Sequence, residues 1–444
     1  MKRESWRSRA GFVIAAVGSA VGLVNIWRFP HVVQGNGGAA FILTYLIFLV
    51  LIGYPVLTSE LLIGRSSQRT PALAFSRLSS QPLWPTTGKG MVITGFIVSS
   101  FYSVVAGWIL GYLFITLFSG FKGVQTIEAA SALFTAKTGS PLWCVGYHLL
   151  FMTLSTLLLL RGVRGGIEAG NRIMMPLLVL LLIFLAARGL LLIGPSKGLS
   201  LLFSPNWSLL TPRGVLIALG HAFFTLSLGQ GTMITYGSYL RRKEHLPNLS
   251  WPIVLSDTLI SLLAGLAVLS IVVFAGTPST EGEGLLFATL PTVFAALPGG
   301  SLLALVFFVS VLLAAITSQC SAMEPAISAL IDAKGWGRKK AALLVGTGAF
   351  LLGVPSALST NLLRNWQVGG FTFFRGISTL TVDILIPLGG LVAVLFVGWG
   401  WGLRRALPEL LTHGGAIARG YFTLCIRYIA PVLIVVILIW SLVS

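Results

Sequence analysis

Acidic residues are scarce in this 444-residue chain. There are 12 Asp and Glu against 30 Lys and Arg, and charged residues make up 9% of the whole. A soluble globular domain runs near a quarter charged, so so low a share excludes an ordinary water-soluble fold. Cysteine is rarer still: Cys144, Cys320 and Cys425 stand singly, with no Cys-x-x-Cys pair, and the five histidines are dispersed. Neither a disulfide framework nor a clustered metal site follows from such spacing. No nucleophile–base constellation stands out, so an enzyme is not expected.

What the chain has instead is apolar length. Hydrophobic residues are 55% of it, and the mean hydropathy is +0.91. Apolar runs long enough to cross a bilayer predict spans near 10–34, 39–63, 90–119, 142–160, 167–194, 214–240, 252–276, 300–331, 340–358, 376–402 and 421–443. The stretch 278–299 reads as a Gly/Pro-broken loop with a short apolar piece, a hairpin over the membrane face. No secretory signal pattern precedes the first run, which is therefore expected to be retained.

The net charge of +18 invites a nucleic-acid reading, but its distribution argues against one. With the N-terminus cytoplasmic, most basic residues fall on that face, in runs such as Arg241-Arg-Lys243 and Arg338-Lys-Lys340. The opposite face receives Lys122, Lys137, Arg188, Lys197, Arg213, Arg364 and Arg375, and Arg28 lies within the first span. That is the positive-inside signature. It predicts a multi-pass protein of the cell (inner) membrane with its N-terminus inside and, after eleven spans, its C-terminus outside. Anionic lipid headgroups, not polynucleotides, are the expected partners of the basic face.

Two spans carry residues that a lipid-facing helix avoids. One is Gly18-Ser-Ala-Val-Gly-Leu-Val-Asn-Ile-Trp-Arg-Phe-Pro30; the other is Phe223-Phe-Thr-Leu-Ser-Leu-Gly-Gln-Gly-Thr232. Backbone released from helical bonding at membrane depth is tolerated only where protein or a water-filled cavity takes up the orphan groups. Interrupted helices near the midplane are a common way to build a site for a small solute and cations. Each interrupted helix opens a run of five spans, which suggests two inverted five-helix repeats, 10–194 and 214–402. The helix 421–443 lies outside the repeat.

These two motifs, extended to Tyr239, and Ala314-Ala-Ile-Thr-Ser318 together resemble the neurotransmitter:sodium symporter family, in the right order and along essentially the whole chain. The resemblance implies an all-α, leucine-transporter-type 5+5 fold in a single transmembrane domain. It also implies a sodium-coupled symporter that takes up an α-amino acid by alternating access. A first sodium site would use Ala20, Asn25, Thr225, Asp257 and the substrate carboxylate. A second would use Gly18, Val21, Ala314, Thr317 and Ser318. Hard cations prefer such oxygen donors. Thr317 and Ser318 also have a plainer reading, in which each bonds back to its own helix.

By the same resemblance, Gly22, Leu23 and Tyr102 would hold the substrate carboxylate. Ala20, Phe224, Thr225 and Ser227 would hold its amine, with Ser19 and Ser318 adjoining. Glycine at 22, where amine-transporting relatives carry an aspartate, favours a substrate that brings its own carboxylate. Val98 fits the leucine-type pattern. Val24, Gln230 and Ala322 depart from it, standing where that type has glycine, phenylalanine and isoleucine. Aromatic, small and polar side chains all stay open.

Asp257 sits in an apolar span, and an intramembrane carboxylate is a functional hypothesis by default. Chloride-dependent relatives place asparagine there. Tyr45, His221, Thr225 and Ser261 would surround the chloride position, so Asp257 is expected to supply the negative charge in place of chloride, with His221 steadying it. A structural hydrogen bond from Asp257 is the alternative.

Gates complete the resemblance. Arg3, Trp6, Tyr239, Glu324 and Asp332 match the inner network. Arg28 matches the outer-gate arginine, but the usual aspartate partner falls on Ser378. Either closure of Tyr102 and Phe224 suffices there, or Asp383 takes the role from a shifted position. Glu60 fits the family without an assigned role. Gly166 and Pro176 resemble a fifth-helix motif that unwinds toward the cytoplasm. A substrate-sensing receptor or a channel on the same scaffold is the competing reading. A channel would need a continuous polar stripe, and a sensor would lose coupling residues that are intact here.

Overall fold

A computed structural model describes residues 3–121, 123–276, 283–411 and 415–443. Lys2 and Lys122 of the charge pattern, and the opening of the 278–299 loop, lie outside them. Among the described residues, nine helices are long and apolar enough to cross a membrane: Ala39–Ser67, Leu83–Phe118, Pro141–Leu159, Val163–Ile193, Leu246–Phe274, Gly300–Lys334, Arg338–Leu358, Phe373–Gly400 and Ala416–Val443. A tenth is the bent pair Arg9–Ala20 and Val24–Gly35, whose halves meet at 59°. The run expected at 214–240 forms two short helices, Pro212–Phe224 and Thr232–Ser238, with residues 225–231 non-helical between them.

Both interruptions follow from local chemistry. In the first span the Gly22 amide finds no helical carbonyl and donates instead to Asn25 Oδ1 at 2.9 Å. The Val21 carbonyl accepts from the Ser318 hydroxyl at 3.1 Å. In the sixth, Gly229 and Gly231 have φ of +79° and +80° and Ser227 has φ of +53°, a left-handed backbone no helix continues through. Gly229 is also a close approach, since a Cβ there would lie 1.9 Å from the Ile386 carbonyl oxygen. The Ser227 hydroxyl donates to the Ser19 carbonyl at 2.7 Å, so the two breaks face each other and satisfy each other's backbone.

Elsewhere the fold differs from expectation in detail. The apolar piece of the 278–299 loop is a helix, Leu285–Ala296. It is anchored by Phe287, whose ring stacks on Phe134 at 4.8 Å and meets Tyr112 at 4.9 Å. A β-hairpin, Gln367–Val368 with Phe371–Thr372, turns on Gly369 and Gly370, both at positive φ, as tight hairpins require. The fifth span is wound at its motif: a π-helical turn covers Val163–Glu168, and the helix Ala169–Ile193 runs through Pro176.

Candidate solute and cation site

A cavity of about 270 Å³ opens between the two breaks. Every residue expected of the solute site lines it: Ser19, Ala20, Gly22, Leu23, Val24, Val98, Tyr102, Phe224, Thr225, Ser227, Gln230, Ser318 and Ala322. Its upper walls add Phe101, Val105, Phe374, Val382 and Ile386, and Arg28 and Glu283 also border it. The Tyr102 hydroxyl lies beside Ser318 and the Leu23 backbone, is buried, and has no hydrogen bond of normal geometry. A Cβ on Gly22 would meet Ser318 Oγ at 3.0 Å and the Tyr102 hydroxyl at 3.5 Å, so a larger residue at 22 would crowd these donors.

Below the cavity, polar groups from three spans converge. Asn25 Nδ2 lies 2.9 Å from Thr225 Oγ1, 2.9 Å from Asp257 Oδ1 and 2.8 Å from Ser261 Oγ. Thr225 Oγ1 donates to Asp257 Oδ2 at 2.7 Å. Asn25, Thr225, Asp257 and Ser261 are all buried. Buried polar groups are costly unless partnered, and here each closes on its neighbours.

A second set lies across the first break. Ser318 Oγ approaches the carbonyl oxygens of Gly18, Ser19 and Val21 at 3.5, 3.4 and 3.1 Å. Thr317 Oγ1 donates to the Ala314 carbonyl at 3.0 Å. The structure thus brings together the hydroxyls and carbonyls expected of the second set. It also displays the back-bond of the plainer reading for Thr317, whereas Ser318 turns away from its own helix toward the first span.

The region expected to surround a chloride is assembled differently. Tyr45 pairs with Thr258 at 3.3 Å. The His221 ring lies tilted between Phe29, at 5.1 Å, and Tyr45, at 5.3 Å, and among the described residues neither ring nitrogen has a hydrogen-bond partner. The expected contact from His221 to Asp257 is therefore absent: ring packing holds the imidazole, and Asn25 and Thr225 already occupy the carboxylate.

At the end that carries the N-terminal segment the residues expected of the inner gate are joined to one another. Arg3 Nη1 makes bonds of 2.7 and 2.6 Å to both oxygens of Asp332, Arg3 Nη2 reaches Ser238 Oγ at 2.5 Å, and its guanidinium lies 5.1 Å from the Tyr239 ring centroid. Trp6 Nε1 donates to the Tyr236 carbonyl at 3.0 Å. The Tyr239 hydroxyl donates to Glu324 at 2.6 Å. At the other end Arg28 is exposed. Among the described residues no ion pair joins it to Asp383, and Asp383 does not line the cavity. The acid that does border it there is Glu283.

Three further site residues escaped the sequence reading, and a fourth, Glu60, stood in it without a role. Arg338 makes a bidentate pair with buried Glu324, at 2.7 Å on each oxygen, and so joins the residues expected of the inner gate. Glu168 accepts from the Arg7 amide at 2.7 Å and Glu4 from the Val163 amide at 2.7 Å, which straps the N-terminal segment across the start of the fifth span. Glu60, fully buried, accepts the Gly229 amide at 2.6 Å. The signal for Glu60 was available, since an acid within an apolar span is the same clue that singled out Asp257.

Two facing helix breaks around one cavity, with buried oxygen donors beneath it, define a site for a small solute and cations. The chain belongs to the sodium:neurotransmitter symporter family, whose model matches residues 3–124 and 134–444. It is 38% identical to the uncharacterized sodium-dependent transporter YhdH of Bacillus subtilis, over 98% of this chain and 97% of that one. It is 34% identical to the uncharacterized sodium-dependent transporter MJ1319 of Methanocaldococcus jannaschii, over 92% and 85%. Among solved structures, MhsT in complex with L-phenylalanine matches with a TM-score of 0.88 and 38% identity, covering 99% of this chain and 100% of that one.

Proposed function

We propose that this protein couples inward sodium movement to uptake of an α-amino acid by alternating access. The observation that carries the reading is the pair of facing breaks, with all the expected solute residues around one cavity and two oxygen clusters flanking it. The sodium-dependent relatives and the phenylalanine complex of a similar structure support it.

Ala20, Asn25, Thr225 and Asp257 would hold one sodium, and Gly18, Val21, Ala314, Thr317 and Ser318 the other. A substrate carboxylate beside Gly22 would accept from the Tyr102 hydroxyl and the amides that open the helical half Val24–Gly35, whose dipole favours an anion. The same carboxylate would complete the first sodium's oxygen set, so solute and ion would bind together or not at all. Carbonyls freed by the breaks would accept from the ammonium group. Asp257 would supply the fixed negative charge in place of chloride, because cations buried beside one another need compensating anions.

In this reading the fold is two inverted five-helix repeats, 10–194 and 214–402, plus the helix at 421–443. Eleven spans, counting the two short helices around 225–231 as one, put the N-terminus in the cytoplasm and the C-terminus outside. The closed network at Arg3, Glu324, Asp332 and Arg338 then seals the cytoplasmic side, and the Arg28 end is the outer mouth.

The test is uptake of each of the twenty amino acids into reconstituted vesicles under an inward sodium gradient, with potassium as control and gluconate in place of chloride. We expect at least one amino acid to accumulate with sodium alone and without chloride. Accumulation that persists in potassium would remove the coupling, and no accumulation or binding of any amino acid would remove the reading.

A further inference from the structure

One polar group in the cavity is used by nothing described so far. Gln230 lies in the break of the sixth span, lines the cavity and is 7% exposed. Its Oε1 is buried without a partner, and its Nε2 donates to no neighbour among the described residues. Every other polar side chain of the break is engaged: Thr225 by Asp257, Ser227 by Ser19 and Thr232 by the Ser321 carbonyl. An amide held in this state forfeits the hydrogen bonds it had in water, a loss that a polar site ordinarily avoids.

The surroundings say what could satisfy it. Val98 and Ala322 line the same cavity, and the charged residues that border it are Arg28 and Glu283. The Gln230 amide is itself uncharged, so a cationic or anionic side chain beside it would find no counter-charge in the amide and would lose part of its hydration. A purely apolar one would leave the amide unpaired. A neutral side chain ending in a hydrogen-bonding group fits both demands, and the amide can offer it an acceptor and two donors.

We infer that Gln230 selects an α-amino acid whose side chain is neutral and ends in a hydrogen-bonding group, such as an amide, a phenol or an indole, over its apolar isostere. The inference rests on the amino-acid reading above. It makes Gln230 a specificity-determining residue, distinct from the residues that hold the amine, the carboxylate and sodium.

The experiment compares near-isosteric pairs, glutamine against methionine and tyrosine against phenylalanine, as competitors of sodium-dependent uptake by the intact protein and by the Gln230→Met variant. A site that pairs a polar group discriminates sharply against analogues lacking it. In the parent, the polar member of at least one pair should compete about tenfold or more better, the equivalent of one hydrogen bond. In Gln230→Met that preference should vanish or invert, while the apolar members still compete and the sodium dependence is unchanged. The retained apolar uptake shows that the variant folds. Sodium-dependent uptake in which neither pair is discriminated, or in which discrimination survives Gln230→Met, overturns the inference and leaves the amino-acid reading standing. Absence of sodium-dependent uptake for every amino acid overturns both.

Discussion

Glu60 accepts the Gly229 amide at 2.6 Å, so a carboxyl group on the second span fixes a residue of the sixth-span break that packs against the tenth span at Ile386. The other oxygen, Oε2, has no partner. Glu60→Ala leaves a buried N–H orphaned, a cost of about 1–3 kcal/mol. Glu60→Gln retains an acceptor and should keep most of the stability. Thermal unfolding of the purified protein in detergent measures both, and an alanine variant as stable as the parent removes the role.

Asp257 receives one hydrogen bond on each oxygen, from Asn25 and from Thr225. In the parent, replacing chloride should leave sodium-driven uptake unaltered. In Asp257→Ser the fixed charge is gone, and uptake should fall steeply in gluconate and recover in part when chloride is restored. Parent uptake that collapses without chloride would falsify the substitution of carboxylate for anion.

Thr317 distinguishes a cation ligand from a back-bonded hydroxyl. Thr317→Val keeps the shape and removes the oxygen. As a sodium ligand its loss should raise the sodium concentration for half-maximal uptake about tenfold, the equivalent of 1.4 kcal/mol. If its only bond is to Ala314, the sodium dependence stays where it was. A sodium titration of uptake separates the outcomes.

The N-terminal latch is the last testable feature. Side chains of Arg3 and Asp332 are 17% and 10% exposed, so the pair should be worth more than an open surface ion pair and less than a fully buried one. A double-mutant cycle with Arg3→Ala and Asp332→Asn should give a coupling of about 1–3 kcal/mol. Ser328, buried beneath this network, offers a reporter: in a Ser328→Cys background, either latch variant should speed labelling by an impermeant thiol reagent from the cytoplasmic side. Equal labelling rates in latch variants and parent argue that the latch does not gate.

Local anomalies were readable in the sequence; partners across the fold were not. Glycines and Asn25 inside apolar runs located both breaks, because such residues have few other reasons to be at membrane depth. Asp257 was legible on the same ground, whereas the Thr317–Ser318 pair entered only through the family resemblance, since a hydroxyl in an apolar helix can simply bond back to it. Arg338 was not, since it opens the run Arg338-Lys-Lys340 and nothing in the order of the letters shows which of three cations turns inward to Glu324. His221 was assigned to Asp257 through the family resemblance, yet its ring packs between Phe29 and Tyr45, a shape constraint that chain order does not carry. Glu283 at the cavity mouth comes from the 278–299 loop, where no periodicity announces direction. The partner of Gln230 is invisible for a simpler reason: among the described residues its Oε1 has none.

Residues 3–8 are tied at several points, through Arg3, Glu4, Trp6 and Arg7, to spans that lie far apart in the chain. Any fusion or purification tag joined directly ahead of them therefore pulls on the seal itself. Measurements meant to leave transport undisturbed should carry their label at the other terminus, and a fluorophore placed at the front would report whether these ties ever release.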